Sequence, residues 1–265
     1  VVKSGETALT SMASNGQNTY THVEESFTIP EGVDQATSYS IVSKYLGDKA
    51  QTQQGRIERD GKKKLTQDFK VFYQRTYPKL TSTAPIEIST DTISGVLKLT
   101  ESYSVNEFWT KGDVDYQSDF YPSNIRNAVY KPKQQTRNVP LWFDYPNNII
   151  NKTTVIFKEN GWDFDNETFV EDNDFFFFER KVTFADDTLS LTYEYRSKTD
   201  HIPANQIDNY LTARDLLRDK AYYGIIKYAE KKDDVEEFKK DLLDNWVMEA
   251  VLLYVIGFLI FIVLW

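Results

Sequence analysis

The chain has 265 residues, with 31 Lys and Arg against 40 Asp and Glu for a formal net charge of −9, and it contains no cysteine. That charge argues against a nucleic-acid partner, because phosphate recognition needs clustered basic side chains. The missing cysteines exclude disulfides, Cys-ligated zinc and a thiol nucleophile within this chain.

Residues 1–17 are rich in Ser, Thr, Asn and Gly and are predicted to form a linker or lead-in strand. From 18 the pattern alternates. Val23, Phe27 and Ile29 alternate with polar neighbours, and Tyr39, Ile41 and Tyr45 do the same after a turn at Pro30, Glu31 and Gly32. This predicts a half-buried hairpin. The period then changes. Residues 48–59 are polar enough for a short helix, and Leu65, Phe69, Phe72, Tyr73 and Tyr77 fall on one helical face over 62–77, ended by Pro78. That stripe is expected to cover a sheet, and Lys62, Lys63 and Lys64 at its start to be a solvated face. Strands are predicted at 84–91 and 96–109, with Glu101 set among Leu97, Leu99, Tyr103 and Val105, and another strand runs through Val114 and Tyr116.

Residues 122–138 carry Pro122, Pro132 and several Asn and Gln, and are predicted to link two domains, 18–121 and 139–228. In the second domain strands are expected at 139–145, 150–158, 174–184 and 188–197, the last two joined by a tight turn at Asp186 and Asp187. Phe175 to Phe178 present aromatic rings to both faces. A helix over 204–222 places Ile207, Tyr210, Leu211, Leu217 and Ala221 on one side. Residues 229–245 are expected to be a charged stalk, helical with Val235, Phe238 and Leu242 on one side, or else a solvated tether. Residues 246–265 are apolar apart from Glu249, although the whole chain has a mean hydropathy of −0.53. Twenty helical residues span about 30 Å, a bilayer's hydrocarbon core, and Trp246 and Trp265 stand where interfacial rings are expected. The fold class expected is therefore mainly β: two β-sandwich-like domains, each with an accompanying helix, plus a C-terminal transmembrane helix. Both ends read as cut, so a fragment of a longer protein is expected.

No residue group announces a reaction. The two histidines, His22 and His201, fall in different expected domains, and the Asp200-His201-Ile202-Pro203 stretch reads as a turn before a helix. The acidic groups Asp163/Asp165, Glu171/Asp172/Asp174 and Asp186/Asp187 match no calcium-loop spacing and read as solvated loops. No carboxylate pair stands out for glycoside hydrolysis. Asn151-Lys152-Thr153 and Asn166-Glu167-Thr168 are sequons expected on exposed loops. Trp109, Trp142 and Trp162 are candidates for a sugar-stacking platform, with core packing the more ordinary use of such rings. No catalytic, cofactor-binding or metal-binding residue is assigned, and no cofactor.

Several stretches together resemble one family. They are Gly47-Asp48-Lys49-Ala50; Phe72-Tyr73 with Arg75 and Tyr77-Pro78; Glu101, Tyr103, Val105 and Trp109; Arg137, Pro140-Leu141 and Tyr145-Pro146; and Asp200-His201-Ile202-Pro203-Ala204 leading to Tyr210. In this order they resemble, over roughly 20–228, the region after the catalytic core in bacterial multidomain transglutaminase-like proteins bearing domain of unknown function 3857. The resemblance implies a periplasmic or otherwise extracytoplasmic body anchored to the lipid bilayer through 246–265. It also implies an intramolecular partner, a transglutaminase-like core upstream. The expected function is a non-catalytic scaffold and membrane tether for that core. The alternative is a surface module that binds glycan or peptide through an aromatic-lined face.

Overall fold

A computed structural model describes residues 19–134 and 136–228. The first hairpin pairs β1 (Tyr20–Ile29) with β2 (Thr37–Leu46). Helix α1 (Asp48–Tyr73) follows, then β3 (Leu80–Ser82), β4 (Glu87–Thr90), β5 (Leu97–Val105), β6 (Thr110–Lys111) and β7 (Asp115–Phe120). After the short helix α2 (Ser123–Ala128) come β8 (Leu141–Trp142), β9 (Asn148–Phe157), β10 (Glu167–Asp172), β11 (Phe176–Ala185), β12 (Thr188–Ser197) and β13 (His201–Ile202). Helix α3 (Ile207–Lys220) and β14 (Tyr223–Tyr228) complete the described residues.

Nine strands make a single sheet, ordered β10-β11-β12-β9-β1-β2-β5-β3, with β4 beside β3 on the outer edge of β5. Two small sheets, β14-β7-β6 and β13-β8, stand apart from it. The large sheet corrects the expectation of two sandwich-like domains. Strand β1 from the first expected domain runs parallel to β9 from the second, with Glu25 opposite Thr153 and Phe27 opposite Val155. The 122–138 stretch therefore does not separate two sheets. It holds α2, whose Ile125 is fully buried, and Val129, fully buried just after it. Alternation along a strand reveals which face is buried but not which strand lies alongside, and that is why the junction was invisible.

One face of the sheet is covered. Phe27 on β1, Tyr39 and Ile41 on β2, Tyr103 on β5, Val155 on β9 and Leu191 on β12 all enter the same core, and so do Phe120, Ile125, Tyr210, Leu217 and Ile225 from the opposing helices and small sheet. The other face carries polar residues such as Glu24 and Lys44, which form an ion pair at 2.9 Å. The architecture is thus two layers, a long sheet under helices and a small sheet.

Local expectations fared better. Asp186 and Asp187 both take positive φ (50° and 53°), the geometry of a two-residue hairpin turn between β11 and β12. Phe176 and Phe178 are buried, and Phe177 faces the other way under the Arg196 guanidinium, 4.4 Å from its ring centre. Gly61 breaks α1 with φ 74° and ψ 161°, which leaves the two helical stretches read from the sequence. Leu65 is fully buried against Tyr45, Leu97 and Leu99, but Phe72, expected in the packed stripe, is only partly buried and lines a cleft.

Among the described residues no helix is long and apolar enough to cross a membrane. The expected span 246–265, the stalk 229–245 and the segment 1–17 lie outside the described residues. The transmembrane helix, and the membrane-anchored extracytoplasmic location built on it, consequently have no support in the fold and are withdrawn.

Candidate functional site

A cleft of about 500 Å³ opens between the covered sheet face and α1, within the roughly 300–1,000 Å³ range of small-ligand sites. Its floor comes from three neighbouring strands. β1 supplies Val23 and Glu25, β2 supplies Ser43, and β9 supplies Asn151 and Thr153. Its walls are Phe69, Phe72 and Tyr73 of α1, with Tyr121 and Asn124 across the opening. The period-2 pattern of β1 is what aims Glu25 here: it shares a face with Val23 and Phe27.

Glu25 is held from three sides. Its Oε1 accepts a hydrogen bond from the Tyr39 hydroxyl, and its Oε2 accepts from Asn151 Nδ2 at 3.1 Å and from the Thr153 hydroxyl at 3.2 Å. Glu25 is a partly accessible residue lining the cleft, and its carboxyl is enclosed by protein. Burial pushes its pKa up, only partly offset by the Tyr39, Asn151 and Thr153 hydrogen bonds, because desolvation disfavours the charged form. At the rim the carboxylate of Asp68 does the opposite. Lys64 at 2.9 Å and Arg56 at 3.1 Å hold it ionised and pull its pKa down. Two polar atoms around the cleft, Gln53 Oε1 and Asn124 Nδ2, are buried and find no hydrogen-bond partner among the described residues. Orphaned polar groups of this kind are costly unless something else satisfies them.

A second buried carboxyl, Glu101, lies one strand beyond. Its Cα is opposite Ile41, whose other neighbour is Glu25. Glu101 accepts from the Tyr103 hydroxyl through Oε2, and its Oε1 has no partner. Burial raises its pKa from 4.5 to about 7, with the Tyr103 bond pulling the other way. It sits beside the core and does not line the cleft.

The residues weighed from sequence are mostly elsewhere. His22 lies on the polar sheet face, 3.5 Å from Glu24, and burial lowers its pKa. His201 on β13 is exposed and bonds Asp200 at 2.6 Å, so the structure does not bring the histidines together. Trp109 and Trp162 stack on each other with parallel rings 6.0 Å apart, and Trp162 stacks on Phe157. Trp142 is 66 % exposed on β8, so the three tryptophans form no shared platform. Asn151, expected on a loop, is a buried strand residue bonded to Glu25, while Asn166 is exposed and caps the Phe184 amide at 2.8 Å. Of the acidic groups, Asp172 pairs with Lys198, and Asp186 and Asp187 form the hairpin turn. Among the described residues no group of three or more His, Asp or Glu side chains is placed to hold a metal ion.

Sequence reasoning missed Glu25, Asn151 and Thr153. The signal for Glu25 was present, since a charged residue between Val23 and Phe27 falls on the apolar side of an alternating strand. For Asn151 and Thr153 nothing local pointed to the cleft, because only the parallel pairing of β1 with β9 places them there. No family model, curated protein or solved structure matches this chain. The resemblance to transglutaminase-like proteins, with the periplasmic setting it implied, therefore stands without support, and the cleft has to be read from its own geometry.

Proposed function

We propose that this chain is a non-catalytic binding module that takes a saccharide ring into the cleft between α1 and the sheet. The observation that carries this reading is the pairing of aromatic walls with a polar floor. Phe72 and Tyr73 line the walls with aromatic rings, Phe69 and Tyr121 stand beside them with the Arg56 and Arg126 guanidiniums over their rings, and the hydrogen-bonded set Glu25, Asn151 and Thr153 forms the floor. A sugar presents the matching surfaces, with C–H faces to stack and hydroxyls that both donate and accept.

One observation favours a second, hydrolytic reading. Glu25 and Asp68 line the same cleft with their protonation pushed in opposite directions, the pattern of an acid and a base. Against it, Glu25 is already engaged by three hydrogen bonds, and Asp68 is engaged by two cations. Titration calorimetry with a panel of neutral and acidic oligosaccharides separates the readings. Binding is expected to at least one panel member, weakened about tenfold or more by Glu25→Gln, and the saccharide should be recovered uncleaved. A panel with no binder, or binding that neither Glu25→Gln nor Phe72→Ala alters, would overturn the proposal. Cleavage abolished by Glu25→Gln would establish the hydrolytic reading instead.

A further inference from the structure

Beside the cleft, and sharing Phe72, Arg75, Thr76, Tyr121, Ser123 and Asn127 with it, lies a second pocket of about 260 Å³. Three arginines from three separate elements line it: Arg75 in the turn after α1, Arg126 on α2 and Arg218 on α3. Arg126 and Arg218 are tied together across 92 residues of sequence. Each guanidinium donates to the other's backbone carbonyl, at 3.5 Å and 3.0 Å. Arg126 also lies over the Tyr121 ring, 4.9 Å from its centre.

The lining contains no Asp or Glu. Arg56, Arg59, Arg180, Arg196 and Arg214 each pair with a carboxylate. Among the described residues Arg75, Arg126, Arg137 and Arg218 pair with none; Arg137 lies outside the pocket and donates to the Val139 and Pro140 carbonyls. Of the acids close to the three lining arginines on the sequence, Asp68 pairs with Arg56 and Lys64, Asp215 with Arg214, and Asp119 accepts from the Tyr121 and Tyr222 hydroxyls; Asp219, next to Arg218, is exposed and does not line the pocket. Burial first, and then the charges of Arg126 and Arg214, lower the Arg218 pKa, with Asp215 acting in the opposite direction. In a chain of net charge −9 such a concentration is against the overall balance. Thr76 and Ser123 add hydroxyl donors to the same pocket.

We infer that Arg75, Arg126 and Arg218 form an oxyanion subsite, and that the ligand of the adjoining cleft carries a carboxylate, sulfate or phosphate which this subsite recognises. Guanidinium forks match these groups bidentately, and two of the three are pre-positioned by their carbonyl bonds, so little side-chain entropy is lost on binding. The identity of the ring rests on the saccharide reading above; the anion subsite is tested apart from it.

The full chain is titrated at low ionic strength with inorganic phosphate, inorganic sulfate and glucuronate in separate arms, and the arginine Nε–Hε resonances are followed by NMR. Saturable shifts are expected at Arg75, Arg126 and Arg218 in at least one arm, and the best of the three names the group. Arg75→Gln should weaken that binding about tenfold. Arg75 is exposed and its side chain bonds nothing among the described residues, so this variant should fold normally. Arg126→Lys keeps the charge but loses the fork and should weaken binding as well, while Arg59→Gln, remote and paired with Asp60, should leave it unchanged. The inference is overturned if no anion gives a saturable shift at these three resonances, or if Arg59→Gln weakens binding as much as Arg75→Gln. If the anion binds here but a glucuronate-containing oligosaccharide binds no tighter than free glucuronate, the subsite is upheld and the saccharide reading of the cleft fails.

Discussion

Glu101→Gln removes a buried ionisable group while keeping its shape, and the structure sets how the stability should respond to pH. Glu101 is 3 % exposed, accepts one hydrogen bond from Tyr103 and leaves Oε1 unpartnered. Its pKa rises from 4.5 to about 7 on folding. Between those values the folded chain holds a proton that the unfolded chain has lost. Stability from this group is therefore fully present below pH 4.5 and falls as pH rises toward 7. At 1.36 kcal/mol per pH unit the full effect is about 3 kcal/mol. Glutamine cannot titrate, so the difference in unfolding free energy between wild type and variant should shift by about that amount across the window, in favour of the variant as pH rises. Glu25, whose pKa is also raised, titrates in both proteins; its charge helps to raise the Glu101 pKa, so the difference carries that coupling together with the Glu101 titration. Any fixed cost of the glutamine amide displaces the difference without giving it a slope. Urea unfolding of both proteins from about pH 4 to about pH 8 measures it. Parallel stability curves would refute the claim that Glu101 is buried and protonated in the native fold.

Three further outcomes follow from the packing. Leu65→Ala should cost about 2–5 kcal/mol, because Leu65 is the fully buried anchor of α1; Phe72→Ala should cost less in denaturant unfolding and more in ligand binding, because its ring faces the cleft. Arg180→Ala should destabilise by about 1–3 kcal/mol or more, since Arg180 bonds Glu167 and the Lys220 and Tyr222 carbonyls, so its loss leaves polar groups near the end of α3 unpaired. Calorimetry of residues 19–228 should show one cooperative transition, because the β1–β9 pairing unites both halves in one sheet; two resolved transitions would restore the two-domain picture.

How much could be read from sequence depended on how local the signal was. The alternation of Leu189, Leu191, Tyr193 and Tyr195 located β12 within a residue, and Asp186 and Asp187 gave its turn, because both features are set by near neighbours. The kinked helix was legible for the same reason. Strand β10 was not: its polar sequence read as a loop, and it is a strand because β11 offers it an edge. The single sheet was equally hidden, since it depends on a parallel pairing between residues more than 120 apart. The cleft inherits that difficulty. Glu25 was detectable from its phase on β1, but its partners Asn151 and Thr153 arrive only through the long-range pairing. Arg126 and Arg218 lie 92 residues apart and meet only where α2 and α3 approach.

A ligand that enters between α1 and the sheet above Glu25 should leave its mark on β1, β9 and α1, which line the cleft. Amide chemical-shift mapping of the full chain with the tightest-binding oligosaccharide tests this most directly. Perturbations are expected at Val23 to Phe27 on β1, at Asn151 to Thr153 on β9 and at Phe69 to Tyr73 on α1, three segments that border the cleft. Perturbations centred instead on the exposed Trp142 and Tyr145, with those three segments unmoved, would contradict it.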